Sequence, residues 1–227
     1  MIFLSASVPD GKKQYPGSQH HHASARPQWI RDAVLAFARA TLKRDWHLTF
    51  GAHPSISPMV LTVAREFPPS QGPRISIYQS EIFRGRFPQE TLALADGHWG
   101  EIIETKSRPG SDPLAASLAH MRERMFAHPG LVAGVFVGGM NGILDEAMLF
   151  KRLHPTLPAY AIASAGGAAA DLLNQPSAPL TAEDFCGGQV APVNLALLRQ
   201  ERVGYVRAAR VVLDAIGGAI GASGPPP

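Results

Sequence analysis

A single cysteine, Cys186, stands in 227 residues, so no disulfide can close within the chain and no zinc site can be built on thiolates. Charge is sparse as well, at 17% of residues, with 21 Lys and Arg against 18 Asp and Glu. The net charge of +3 is spread along the chain, and no Lys/Arg run offers the counterion release that duplex binding needs. Aromatic residues make up only 7% and few interleave with basic ones, which also disfavours single-stranded nucleic acid. No apolar run approaches the roughly 18 residues of a membrane span, and the opening Met1 to Leu4 lacks a basic flank. A soluble cytoplasmic protein is the expectation. A GxSxG elbow, a GK[ST] P-loop ending, internal repeats and heptads are all missing.

What is present is 45% apolar residues, enough to fill the core of one domain. Short apolar segments end in Gly, Pro or Ser turns and are followed by amphipathic stretches, the rhythm of repeated βαβ units. Strands are expected at Ile2 to Ser5, His47 to Phe50, Arg74 to Tyr78, Glu101 to Glu104, Ala133 to Val137 and Ala159 to Ile162. Helices are expected at about 28–44, 57–66, 113–128, 142–153, 167–173 and 196–216, with loops at 10–27, 67–73, 105–112 and 174–194. Several strands are apolar without alternation, which suits a parallel sheet covered on both faces. The predicted fold class is α/β, a Rossmann-like open parallel sheet with helices on both faces. One domain over 1–220 and a disordered tail over 221–227 complete the expected organisation.

The strongest motif is the strand-turn-helix AGVFVGGMNGILDEAMLF at 133–150. Gly138, Gly139 and Gly142 bring backbone N–H groups to a helix N-terminus, where an anionic group such as a phosphate is favoured. The same glycines can instead serve only a tight turn, and the GGxxG spacing departs from the GxGxxG dinucleotide fingerprint. Glu146 sits early in that helix, where the macrodipole favours a carboxylate regardless of function. It could also accept from a sugar hydroxyl or act as acid or base at a glycosidic carbon. On the preceding helix, the stripe through Leu114, Leu118, Met121 and Met125 leaves Arg122 and Arg124 on its two flanks. Either can be a snorkelling surface residue or a clamp on phosphate.

The segment HMRERMFAHPGLVAGVFVGGMNGILDE resembles the paired signature of the LOG-like phosphoribohydrolases, an Arg-bearing helix followed by a strand and a PGGxGTxxE turn. The resemblance implies that Arg124 and Glu146 are the catalytic pair if the protein is an enzyme, with Gly138, Gly139 and Gly142 as the turn glycines. The segments FLSASVPD, LTFGAHPSISPMV, IYQSEIF, FVGGMNGILDE and SAGGAA extend it to the SLOG superfamily, in the branch associated with Sir2 and TIR domains (STALD). Ligand contacts implied at the strand ends are Ser5, Ser7, Gly51, His53, Gly138, Gly139, Met140, Asn141, Gly142 and Gly166, with Arg124 and Glu146. Tyr78, Ser80, Glu81, Lys106 and Arg108 lie at further strand ends and carry little weight. Val137 replaces the Pro of the hydrolases, Ile143 their Thr, Met125 the Lys after the Arg, and Ala52 a glycine.

The implied function is sensing of a nucleotide-derived signal, ADP-ribose or cyclic ADP-ribose in type, in a bacterial defence-type system. The alternative is a phosphoribohydrolase that cleaves the N-glycosidic bond of a nucleoside monophosphate. A third reading is an interaction protein with a dead cleft. A sensor of this length needs homo-oligomerisation or a separate Sir2, TIR or other effector, and the stripe Val203, Val206, Ala209, Val211, Leu213 and Ile216 could contact a second copy or the chain's own fold. No cofactor is expected. Nor is a metal, because His20, His21 and His22 are consecutive in an expected loop without an acidic or thiol partner at ligand spacing.

Overall fold

The computed structural model describes residues 1–10, 19–68, 72–199 and 204–223. Its strands are β1 (Ile2–Ser7), β2 (Leu48–Gly51), β3 (Ile75–Ser80), β4 (Glu101–Thr105), β5 (Ala133–Gly138) and β6 (Ala159–Ile162). They form one six-stranded sheet in the order β4-β3-β2-β1-β5-β6, every pair parallel. Every residue of β3, β5 and β6 is buried, as strands covered on both faces require; β5 and β6 are apolar throughout, whereas β3 also buries Ser76, Gln79 and Ser80. The predicted fold class is the observed one.

The helices are α1 (Gln19–Ser24), α2 (Pro27–Lys43), α3 (Ser57–Ala64), α4 (Gln89–Asp96), α5 (Pro113–Phe126), α6 (Asn141–Leu153), α7 (Ala168–Asn174), α8 (Leu195–Arg199) and α9 (Tyr205–Ser223). α2, α3 and α4 pack in series, with α9 laid against α2, while α5, α6 and α7 pack in series against the strands from the other side. The start of α5 is fixed locally: Asp112 accepts from the Ala115 N–H at 3.0 Å and Pro113 takes the first helical position, where its missing N–H costs nothing. Phe3, Phe126, Phe136 and Phe150 form an edge-to-face cluster with centroids as close as 4.7 Å, tying β1 and β5 to α5 and α6.

Several expectations need correction. The expected loop 10–27 contains α1, and α4 was not foreseen, because its apolar residues are few and Leu92 is exposed. The last helix is two helices, and it runs through Ser223, into the stretch expected to be a tail; 224–227 lie outside the described residues. The stripe on that helix turns inward: Ala209, Leu213 and Ile216 are fully buried and Val211 packs on the same core, leaving Val206 exposed. Val203 lies outside the described residues. Among the described residues no helix is long and apolar enough to cross a membrane.

Strand order reverses at β1, which has β2 on one side and β5 on the other. The chain lays down β1 to β4 outward, then returns to β5, so the helices leaving β1 and β5 diverge to opposite faces. A crevice opens between them at the carboxyl ends of the two strands, the place where open α/β sheets bind ligands. The register pairs Ser5 with Phe136 and Ser7 with Gly138, which brings both serines to that opening.

Candidate functional site

The glycines after β5 are consumed largely by packing. Gly138 and Gly139 have φ of +63° and +74°, a region costly for any residue with a Cβ. A Cβ on Gly139 would stand 2.1 Å from the Ile143 side chain and 2.9 Å from the Ser7 hydroxyl. A Cβ on Gly138 would strike Ile30 at 2.4 Å. The turn also accepts a bond, since Gly139 C=O takes the Ala168 N–H at 2.9 Å. Gly167 is pressed so close that its Cβ would lie 2.7 Å from the same carbonyl oxygen. What the turn leaves free is the start of α6, where Met140 is the capping residue and Asn141 and Gly142 occupy the first positions. First-turn N–H groups have no intrahelical acceptor, and the helix dipole is positive there.

Glu146 lies one turn further along α6 and is held from two sides. Ser5 donates its hydroxyl to Oε2 at 2.5 Å, and Arg122 approaches Oε1 through Nε at 3.4 Å. The same guanidinium reaches Asp145 Oδ2 and the Gly142 carbonyl, each at 3.4 Å. Side-chain exposure is 15% for Glu146 and 14% for Arg122, so this is a shielded pair, loosely spaced. Burial pushes the Glu146 carboxyl above the usual carboxylate range, and Arg122 and Ser5 oppose that rise without cancelling it. Gly51, at the end of β2, keeps the space over the carboxylate clear: its Cβ would be 4.0 Å from Oε1 and 3.5 Å from Met121 Cε.

Arg124, the position matched to the hydrolase arginine, is exposed and forms no ion pair among the described residues. The arginine on Glu146 is Arg122. The two do flank the α5 stripe oppositely, since Arg122 turns to α6 while the charge of Arg124 acts on Tyr78 of β3, opposing the rise that burial gives the phenol. Helical angle predicted the two flanks; only the packing of α5 against α6 decides which one meets the glutamate.

Beside Gly51 a slot of about 340 Å³ is lined by His53, Tyr78, Gln79, Phe83, Arg86 and Phe87, with Met121 of α5 at its base. Register joins the slot to the crevice, for Gly51 pairs with Tyr78 and Ala52 N–H donates to the Tyr78 carbonyl at 2.7 Å. His53 Nδ1 accepts from the Ser55 N–H at 3.2 Å. The residues after β3 that complete the slot, in the segment EIFRGRFP, went unassigned in sequence; alternating aromatic and basic residues after a strand end are the signal that could have found them.

Other expected contacts lie elsewhere. The space where a Gly166 side chain would stand is filled by the Ser24 carbonyl, 2.0 Å from the Cβ position, so Gly166 serves a backbone contact. Lys106 pairs with Glu81 at 3.2 Å and Arg108 meets His120 at 3.2 Å, at the edge strand β4 and remote from β5. Glu81 also accepts from Ser107 at 2.9 Å, and Ser80 is fully buried. Burial raises the Cys186 thiol above its ordinary value, away from thiolate chemistry. His20 and His21 sit on α1 rather than in a loop, and both reach Asp171 of α7, an acidic partner that no local spacing could reveal.

No curated protein matches the chain. The model of the SLOG cluster3 family matches residues 20–186. That is most of the chain, and the protein belongs to the SLOG cluster3 family, within the superfamily that the paired motifs resemble.

Proposed function

We propose that this member of the SLOG cluster3 family binds a nucleotide-derived signal of the ADP-ribose or cyclic ADP-ribose type in the crevice between β1 and β5. Phosphate sits against the N–H groups that begin α6, where the backbone at Met140, Asn141 and Gly142 is approachable. Ribose hydroxyls bond Glu146, whose carboxylate is already oriented by Ser5. The base enters the slot beside Gly51 and stacks on Tyr78, Phe83 or Phe87. The observation that carries this reading is the shielded Glu146, held by Ser5 and Arg122 beside a helix N-terminus. A bare carboxylate would repel phosphate, and pairing Glu146 to the Arg122 guanidinium reduces that repulsion. The protein acts as the sensing part of a bacterial defence-type system, through homo-oligomerisation or a separate Sir2, TIR or other effector.

One observation favours the hydrolase alternative. A carboxyl whose pKa burial raises is a better proton donor to a departing base than an ordinary carboxylate. Against it, Met125 is fully buried and Ile143 is 4% exposed, so the positions that carry Lys and Thr in the resembling hydrolases supply packing here.

Mass spectrometry of small molecules released on denaturation decides between them, after incubation with NAD, ADP-ribose, cyclic ADP-ribose isomers and nucleoside monophosphates beside a protein-free control. Selective retention of an intact nucleotide supports the sensor. Consumption of one input with free base and ribose phosphate supports the hydrolase. Neither retention nor consumption, unchanged by Glu146→Gln, leaves an interaction protein with an inert cleft.

A further inference from the structure

A second cluster of chemistry-bearing side chains lies on the far flank of α6, apart from Glu146. His20 and His21 of α1 place their Nε2 atoms 3.3 Å and 2.8 Å from one oxygen, Oδ2 of Asp171 in α7. The candidate donor atoms of the three residues all lie within 4.8 Å of one another. His21 is 2% exposed, and its other ring nitrogen has no hydrogen-bond partner among the described residues. Two imidazoles converge on one carboxylate oxygen, yet only His21 hydrogen-bonds it, and His20 Nε2 is held against the same oxygen without a hydrogen bond to it.

The arrangement is rigidly held. Gly167 N–H donates to the Ser24 hydroxyl at 3.2 Å and Arg26 N–H to the Ala165 carbonyl at 3.1 Å, which fasten both ends of the α1–α2 connection to the β6–α7 turn. The close fit of Gly166 under the Ser24 carbonyl fixes the same contact. A short helix that would not hold its shape alone is thereby docked where His21 meets α7.

We infer that His20, His21 and Asp171 form a binding site for a first-row divalent transition ion of the zinc class. Two imidazoles and one carboxylate are a borderline donor set suited to such an ion, with bonds of roughly 2.0–2.2 Å. Donors around a tetrahedral ion at that distance stand roughly 3.3 Å apart, close to the two His–Asp171 separations of 3.3 Å and 2.8 Å, and the donors all lie within 4.8 Å of one another. Binding replaces the contacts of both Nε2 atoms with Asp171 by three metal bonds, each neutral imidazole shifting its proton from Nε2 to Nδ1 and an imidazolium releasing one proton to solvent. Three protein ligands leave a position open. It faces a pocket of about 500 Å³ lined by Asn141, Asp145, Met148, Gln175, Leu180 and Phe185, so a water or an anionic oxygen completes the coordination. Asn141 is also the first residue of α6, which puts the ion's open side next to the helix start of the nucleotide crevice.

The test uses the full chain stripped with a chelator and dialysed against Zn²⁺ alone, with bound metal quantified, so it is independent of any nucleotide. One equivalent of zinc is expected, with at least a tenfold loss of affinity in His20→Ala and in Asp171→Asn. His20 is 65% exposed at its side chain, so His20→Ala keeps the fold even if substitution of the buried His21 does not. Cobalt in place of zinc is expected to give visible d–d bands without thiolate charge transfer, unchanged in Cys186→Ser. Absence of stoichiometric zinc, or wild-type affinity in both His20→Ala and Asp171→Asn, overturns the assignment and leaves a structural His21–Asp171 bond.

Discussion

Ser5 on the first strand and Glu146 on the sixth helix, 141 residues apart in sequence, meet through a hydrogen bond of 2.5 Å at the point where strand order reverses. The bond ties the two halves of the sheet at their carboxyl ends. It also spends the Ser5 hydroxyl on holding a carboxylate, so Ser5 acts on a ligand through Glu146. Ser7, whose hydroxyl lies against the Gly139 turn, is the nearer of the two to the α6 N-terminus.

Because burial raises the Glu146 pKa, the native protein binds a proton that the unfolded chain releases between the ordinary carboxylate value and the raised one. Stability from this group is therefore full below the unfolded value and is lost as pH rises through that interval. Glu146→Gln keeps the volume and removes the titration. The variant's stability relative to wild type is expected to grow from pH 5 to pH 8 in urea unfolding, by about 1.4 kcal/mol per unit of raised pKa within that window. An equal difference at both pH values would show a carboxylate of ordinary acidity.

Under the nucleotide reading, Arg122→Ala removes the guanidinium from Glu146 and is expected to weaken ADP-ribose binding by tenfold or more in calorimetry. Arg124→Ala takes away an exposed charge and is expected to cost less than threefold. The reverse order would restore the assignment that the motif spacing gives.

Much of the fold was legible in sequence because the strands are short apolar-rich segments followed by small or turn-forming residues; β5 and β6 lie where Ala133 to Val137 and Ala159 to Ile162 were expected, give or take one residue. Glu146 and the glycine turn were legible for the same reason, being contiguous in the chain. Arg122 was not, since a choice between adjacent flanking arginines depends on the packing of α5 against α6. Asp171 was hidden by its distance in sequence from the histidines, 150 residues from His21. The slot residues Phe83 and Phe87 sit beside α4, whose weak amphipathicity concealed the element that shapes them.

The two diglycine turns should be intolerant of side chains in a graded way. Gly139→Ala and Gly167→Ala combine positive φ with contacts of 2.1 Å and 2.7 Å, and each is expected to cost about 3 kcal/mol or more. Gly188 has φ of +56° but no atom within 4 Å of its Cβ position, so Gly188→Ala should cost only about 1 kcal/mol. Thermal unfolding of the three variants separates steric lock from backbone strain. Equal losses would mean that the Gly139 and Gly167 turns do not interlock.

The opposite pH response belongs to His47, at the amino-terminal ends of the strands. Its Nε2 lies 2.8 Å from the Ser76 hydroxyl, which itself donates to Glu101 Oε1 at 2.6 Å. Ser76 has spent its proton, so the imidazole must donate Nε2–H, which it does as a neutral ring. Burial pushes the His47 pKa down to about 4; Glu101 opposes the shift, and the Met1 ammonium, His128 and Arg74 add to it. Between the ordinary imidazole value of 6.5 and about 4 the unfolded chain takes up a proton that the native state refuses. Stability is therefore lost as pH falls through that window, by at most about 3 kcal/mol in all. His47→Gln removes the titration, and Glu146 titrates in both proteins, so the variant-to-wild-type difference isolates the histidine. Urea unfolding should show wild type losing up to about 1.5 kcal/mol more than His47→Gln between pH 6.5 and pH 5, with solvent screening of the half-buried ring lowering that figure. Parallel acid profiles would place His47 in contact with solvent and protonated at its ordinary pH.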